Sequence, residues 1–298
     1  MKKTECGKKW REIPWNDVLK QKCSADKYFM RSGLIRKDLL PVYSSEFMPP
    51  THVVSSVEEF DAVLDKIKED IIAVRADDLW VLKLSDSSNA YGIHFFHLKE
   101  TTSVRSLLLD GQTRVLQKYV QPMLIDGKKF HIRALVLAVG HLDVYVYENV
   151  RVLLASAPFS TESLNPFIHI TNQSVNKNGN PSYNNENQNV PLSDAFSNDV
   201  GTSILHQIHD ICRHAFRCLA TNRRHFFSLP NCYEIFGFDF LVDINGRVLL
   251  LEANPDPSLA MYNGEAILPS SPLDIGVPST FAQVFSLQKE LAFARLKK

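Results

Sequence analysis

Five cysteines in 298 residues, odd in number and without a CxxC spacing, leave this chain neither a disulfide framework nor a cysteine-based zinc site. Cys6, Cys23, Cys212, Cys218 and Cys232 read as reduced thiols, and the cytoplasm is the default compartment. Net charge is missing as well, since 33 basic and 33 acidic side chains cancel. A whole-chain electrostatic argument for nucleic acid or an anionic membrane therefore fails, and only a local basic patch could restore it. No apolar run is long enough to span a bilayer, and the basic start MKKTECGKKWREIPW lacks the apolar core of a secretory signal. Without such a signal, Asn172-Gln173-Ser174 is a chance match to a glycosylation acceptor. The GK[ST] core of a Walker loop is absent, internal repeats are absent, and no convincing Ser/His or Cys/His pair offers a nucleophile. What remains is an ordinary globular composition, 45% hydrophobic and 22% charged, long enough for two domains or one body with subdomains.

The most informative stretch is Phe236–Pro255, FGFDFLVDINGRVLLLEANP. Two runs rich in Phe, Val and Leu flank Asn245-Gly246, a strong two-residue turn signal. With that turn, Ile244 pairs with Arg247, Val242 with Leu249, and Asp239 falls opposite Glu252. Opposed like charges are destabilising. A period of two puts Asn254 on the face of Glu252. The convergence of two carboxylates and an amide oxygen suits Mg²⁺ bridging to phosphates. It equally suits a structural acidic pair neutralised by an Arg or Lys from elsewhere.

Along the chain, Pro49-Pro50 marks a break, and Ser56-Val-Glu-Glu59 reads as a capping box. The helix it opens carries Val57, Phe60, Val63, Leu64, Ile67 and Ile71 on one face. Leu79–Leu84, Ile93–Leu98 and Val115–Val120 read as strands, with Ser85–Gly92 a loop of small residues. Past the turn at Asp126-Gly127, Lys129–Val139 and Leu142–Glu148 form an antiparallel pair. The segment from Thr171 to Asn189 is a polar loop, Thr202–Leu219 an amphipathic helix, and the tail from Ser286 a last helix. The sum is an α/β or α+β protein with largely antiparallel sheets and flanking helices.

Alternation sends Lys129, His131 and Arg133 to one strand face and Phe130, Ile132 and Ala134 to the other. Three adjacent nitrogen-bearing side chains need either solvent or an anion. Lys83 feeds a small-residue loop, an arrangement that can cradle phosphate but taken alone reads more readily as a surface hairpin loop. Gln117 and Tyr119 share a strand face opposite Lys118. His206, His209 and His214 lack an acidic partner at helical spacing, so they read as solvent-facing.

Taken in order, these pieces resemble the tubulin–tyrosine ligase-like family, with an ATP-grasp type fold. The resemblance runs from about Arg36 to Pro257. It rests on Arg36-Lys37 before a leucine pair, Trp80-Val-Leu-Lys83 with Gly92 nine residues later, and Gln117-Lys118-Tyr119. Lys129-Phe-His131-Ile-Arg133, His169-Ile-Thr171-Asn172, Phe236-Gly-Phe-Asp239-Phe and Leu251-Glu252-Ala-Asn254 complete the series. The form KFHIRALVLAVG is similar to the fungal branch.

The resemblance implies an N-terminal region over 1–50, one ATP-grasp subdomain over 51–120 and another over 121–298, with nucleotide bound between the two. It implies that Asp239, Glu252 and Asn254 hold Mg²⁺. Lys83 and Lys118 would meet ATP phosphates or the adenine region, and Gln117 with main-chain groups of Tyr119 and Val120 the adenine edge. Lys129 and Arg133 would lie near the γ-phosphate and acceptor carboxylate, with Thr171 and Asn172 lining the nucleotide side. The implied reaction is ATP-driven joining of an amino acid, of tyrosine or glutamate type, to a protein carboxylate such as a tubulin tail, through an acyl phosphate. Three departures stand out. The phosphate loop has Ser87, Asn89 and Ala90 where glycines are usual, His131 replaces a common Asp, and an arginine expected near Leu153 is displaced to Arg151. Two rival expectations follow: a non-catalytic scaffold that binds nucleotide or tubulin, and a ligase for a small metabolite.

Overall fold

A computed structural model describes residues 4–69, 78–87, 90–172, 188–262 and 271–275. Ile71, Ser88, Asn89, most of the expected polar loop over 171–189 and the expected helix from Ser286 lie outside these residues.

A small sheet has the order β3-β6-β4-β5, built from β3 (Thr51–Val54), β4 (Leu79–Leu84), β5 (Ile93–His97) and β6 (Arg114–Lys118). A larger sheet has the order β11-β10-β8-β12-β13. Its strands are β8 (Lys128–Val139), β10 (Arg151–Leu154), β11 (Asn189–Pro191), β12 (Tyr233–Val242) and β13 (Val248–Pro255). Two short strands, β7 (Leu124–Ile125) and β9 (Asp143–Val146), also pair with β8. Every pairing in both sheets is antiparallel. Only the N-terminal strands β1 (Thr4–Glu5) and β2 (Ser24–Ala25) run parallel among the named pairs.

Side-chain periodicity assembles these layers. In the helix Val57–Glu69, Phe60, Leu64 and Ile67 are buried and pack with Trp80, Leu82, Phe96 and Leu116 of the small sheet. Its start is capped as expected, with one adjustment. Ser56 Oγ accepts from the Glu59 amide at 3.2 Å, while Glu59 Oε2 accepts from Ser55, one residue earlier. The helix Asn198–Leu219 buries Ile204, Ile208, Ile211, Cys212, Ala215, Phe216 and Leu219. They pack with Phe130, Ile132, Ala134, Val136 and Ala138 of β8. The opposite face of β8 splits: Leu135, Leu137 and Val139 enter a second core, whereas Lys129, His131 and Arg133 do not. Of the helix histidines, His206 is exposed, but His209 and His214 are half-buried, with His214 Nε2 3.1 Å from Glu46 Oε1. A strand at Thr51–Val54, directly after the proline pair, was not expected from pattern. Four residues with two intermediate and one exposed position carry too weak an alternation.

The β12–β13 hairpin corrects the expected register. Gly246 N bonds Asp243 O and Asp243 N bonds Arg247 O, both at 2.9 Å, so the loop has three residues, Ile244–Gly246. Gly246, at φ 81°, takes the left-handed position that such loops require. Val242 therefore pairs with Val248 and Phe240 with Leu250, one residue off the two-residue-turn register. A bulge between Asp239 and Phe240 leaves Leu251 unpaired and restores Asp239 opposite Glu252.

Candidate active site

Two sheet faces meet across a cleft. On the small sheet, residues alternate with those under the helix: Phe95, Val81, Gln117 and Thr51 align across four strands, with Ile93 and Lys83 one step along. On the large sheet, Arg151, Arg133, Asp239 and Glu252 align across β10, β8, β12 and β13. In the FGFDF run, Phe236, Phe238 and Phe240 fill the core, leaving Gly237 and Asp239 on the cleft side. A Cβ on Gly237 would stand 3.0 Å from Pro257 Cβ and 3.2 Å from Arg133 Nη1, so the glycine makes room for the arginine.

Lys83, Gln117, Lys118, Tyr119, Val120, Lys129, Thr171, Asn172, Asp239 and Glu252 all line this cleft. Arg133 and Asn254 join it through Asp239. Arg133 grips that carboxylate with Nε and, at 2.8 Å, with Nη2. Asn254 Nδ2 donates to Asp239 Oδ2 at 3.1 Å and to Glu252 Oε1 at 3.0 Å. The amide nitrogen, not the expected oxygen, thus faces the acidic pair. Glu252 has a second partner in Lys37, whose ammonium lies 3.3 Å away and also donates to Ser87 O. His131 Nδ1 bonds Thr171 Oγ1, and its Nε2 lies 3.5 Å from Asp239 Oδ1. Lys83 donates to Gln117 Oε1 at 2.7 Å, and Lys129 sits 4.5 Å from the Tyr119 ring centre. Lys118 points its ammonium toward Asp78, 3.5 Å away, which separates it from Lys83.

An aromatic wall closes the other end. Tyr119 donates to His169 Nδ1 at 3.0 Å, and His169 Nε2 donates to Ser163 O at 2.6 Å. The His169 ring lies 4.7 Å from Phe95, and Phe159 stacks on Tyr119 at 6.3 Å. Phe95, Phe159 and Lys37 were not singled out from the sequence. Lys37 had as its only signal the Arg36-Lys37 pair. Arg151 stands beside Arg133 in register, buried and 5.2 Å from the Tyr262 ring, while Leu153 pairs with His131.

Burial sets the electrostatics. It pushes Lys83 down to about 8, with Lys37 adding to the effect and Glu252 opposing it. It pushes Lys129 down to about 7, with Lys83 contributing. His169 falls to about 4 for the same reason, against its bond to Ser163. Burial works against an ionised Asp239, yet Arg133 and His131 outweigh it and hold that carboxyl well below the usual range. Burial likewise opposes a charged Arg133, and Asp239 and Glu252 overcome it and raise its pKa. Cations at Lys37, Lys83, Lys129 and Arg133 thus outnumber the two carboxylates. A buried surplus of positive charge is costly unless an anion arrives.

Among the described residues no three His, Cys, Asp or Glu side chains form a ready-made ion cage. The donor set nevertheless fits Mg²⁺ arriving with a polyphosphate. Two carboxylates and an amide converge, and Lys37 and Arg133, which now satisfy them, are groups that phosphate would attract. Asn254 would have to turn its amide over to present oxygen.

Antiparallel sheets enclosing a cationic cleft, with an acidic hairpin at its floor, define an ATP-grasp type fold. The solved C-terminal domain of Kluyveromyces lactis Pby1 shares that fold, with a TM-score of 0.60 over 87% of this chain and 78% of that one, at 24% identity. It is described as an ATP-grasp enzyme interacting with the mRNA decapping enzyme Dcp2. The tubulin-tyrosine ligase family model matches residues 12–265, and the chain belongs to that family. A probable tubulin–tyrosine ligase of Schizosaccharomyces pombe is 37% identical over 53% of this chain and 40% of its own length. The probable tubulin polyglutamylase TTLL2 of Mus musculus is 31% identical over 72% of this chain and 41% of its own. The chain therefore spans about two fifths of the length of these two curated relatives.

Proposed function

We propose that this chain is an ATP- and Mg²⁺-dependent carboxylate–amine ligase of the cytoplasm, adding an amino acid to a protein carboxylate. The nucleotide sits between the 51–120 and 121–298 portions, with 1–50 as an N-terminal region. The observation that carries this reading is the surplus of buried cations facing a paired carboxylate floor. In this reading Lys83, Lys129 and Lys37 bind phosphate oxygens, and Tyr119, Val120 and Phe95 flank the base. Asp239, Glu252 and Asn254 hold the ion, with Arg133 fixing Asp239. ATP–Mg²⁺ held there would supply the γ-phosphoryl group to a carboxylate, releasing ADP, and an amine would displace phosphate from the resulting acyl phosphate to form the amide. Leu241 and Leu251 exclude water from that end of the cleft. No side-chain nucleophile is required.

A tubulin tail is the inherited acceptor, from the names of the relatives. The K. lactis relative's described interaction with a decapping enzyme keeps other protein acceptors in view. The scaffold reading is favoured by one observation: Arg133 and Lys37 already neutralise both carboxylates. Thermal melts with ATP, with and without a divalent ion (Mg²⁺ and Mn²⁺ in parallel), test the nucleotide site that the ligase reading requires, and acceptor-dependent phosphate release separates a ligase from a nucleotide-binding scaffold. A midpoint rise that needs the ion and is lost in Glu252→Gln supports the ligase reading. No rise at millimolar ATP sinks it. Phosphate release with peptide against free amino-acid acceptors then distinguishes protein from metabolite ligases.

A further inference from the structure

His131 is 4% exposed, and its buried Nε2 makes no well-formed hydrogen bond, the one acceptor facing it being Asp239 Oδ1 at 3.5 Å. Buried polar atoms without a partner are rare in folded proteins and ask for a cause. Strand parity aims this ring into the cleft beside Asp239. Its neighbour on β10 is Leu153, and Leu241, next beyond the Phe240–Ile132 pair on β12, also lines the cleft. Neither can supply a hydrogen bond. The other ring nitrogen, Nδ1, is held by Thr171 Oγ1. When Nδ1–H donates to that hydroxyl, the lone pair lies on Nε2 and the ring cannot swing away. A second partner that fixes tautomer and orientation is the usual support of a metal-binding imidazole.

We propose that His131 is a nitrogen ligand of the divalent ion that enters with the nucleotide, so that this centre is a mixed nitrogen–oxygen site selecting Mn²⁺ and other transition ions over Mg²⁺. The proposal rests on the nucleotide reading above. Its geometric support is the 3.5 Å between His131 Nε2 and Asp239 Oδ1. Two donors at about 2.1 Å from one ion stand about 3.0 Å apart at right angles and about 3.6 Å apart at 120°. The chemical support is ligand type: carboxylate, carbonyl and water serve Mg²⁺ and Mn²⁺ alike, so an imidazole, a donor suited to transition ions, is what would set the two apart. The competing role for Nε2 is protonation and donation to Asp239, which brings no nitrogen to an ion.

Electron spin-echo envelope spectroscopy on Mn²⁺ bound with ATP to the whole chain distinguishes these roles. The wild type should show nitrogen modulation that changes when the protein is grown with imidazole-¹⁵N histidine, a comparison that needs no variant. The modulation should vanish in His131→Asn and in His131→Asp. In melts with competing ions, the preference for Mn²⁺ over Mg²⁺ should fall at least about tenfold in both variants, the lower end for loss of even an outer-shell partner. Mn²⁺ bound with ATP but without label-sensitive modulation overturns the proposal and leaves the nucleotide site standing. Failure of both Mn²⁺ and Mg²⁺ to bind with ATP overturns the nucleotide reading as well.

Discussion

Asp239 stands directly opposite Glu252 because two one-residue irregularities cancel. The three-residue loop shifts β12 against β13 by one position, and the unpaired Leu251 shifts it back. Both carboxylates then face the cleft, each held by a cation from another segment: Arg133 on Asp239 and Lys37 on Glu252.

Glu252→Gln should abolish ion-dependent stabilisation by ATP. Gln keeps a hydrogen-bonding oxygen beside Lys37 and Asn254, and losing one of two facing carboxylates relieves their repulsion, so the net change should be about 1 kcal/mol. Urea unfolding of the apo variant should stay within that margin of wild type. A loss of several kcal/mol would mark Glu252 as a structural partner and remove it from the binding set.

Gly237→Ala forces a methyl group against Pro257 and the Arg133 guanidinium. Overpacking of this kind costs about 1–3 kcal/mol. The larger effect should fall on ATP-dependent phosphate release, because the displaced guanidinium no longer fixes Asp239. Wild-type turnover in Gly237→Ala would show that Arg133 has room to spare.

Nucleotide binding should take up protons near pH 8. Lys129 in the free protein is lowered to about 7 from the ordinary 10.5, and Lys83 to about 8. Between those values and 10.5 the unfolded chain holds more protons than the folded one. The apo protein therefore gains stability as pH rises through that window. Phosphate oxygens reverse the preference and draw protons in. Calorimetry in buffers of different ionisation enthalpy should report uptake at pH 8, reduced in Lys129→Met; release of protons would contradict this.

Lys37→Met removes the tie between Ser87 and Glu252. We expect weaker ATP binding with little change in apo stability. A titration giving unchanged affinity would confine Lys37 to a structural tether.

How much of this was legible beforehand follows from how local each feature is. Alternation along Lys129–Arg133 put the cations and Phe130, Ile132 and Ala134 on opposite faces, and a period of two needs only one strand. Hydrophobic spacing likewise marked the helices Val57–Glu69 and Asn198–Leu219, whose apolar faces are continuous. The pairing of Asp239 with Glu252 was legible for a different reason: it depends on the net register, which two cancelling errors leave unchanged.

The sequence by itself determined which side chains carry charge, which strands alternate, and that an acidic pair would meet near a turn. Only the tertiary structure decided that Val248 and Leu250, not Leu249 and Leu251, enter the core beside Phe240 and Val242. It alone brought Lys37 to Glu252, far away in the chain, and left His131 Nε2 with no bond better than its 3.5 Å approach to Asp239. The reason is physical. Periodicity is set by the backbone within one element, whereas the partner of a buried charge is chosen by how separate elements pack, and local sequence does not encode that choice.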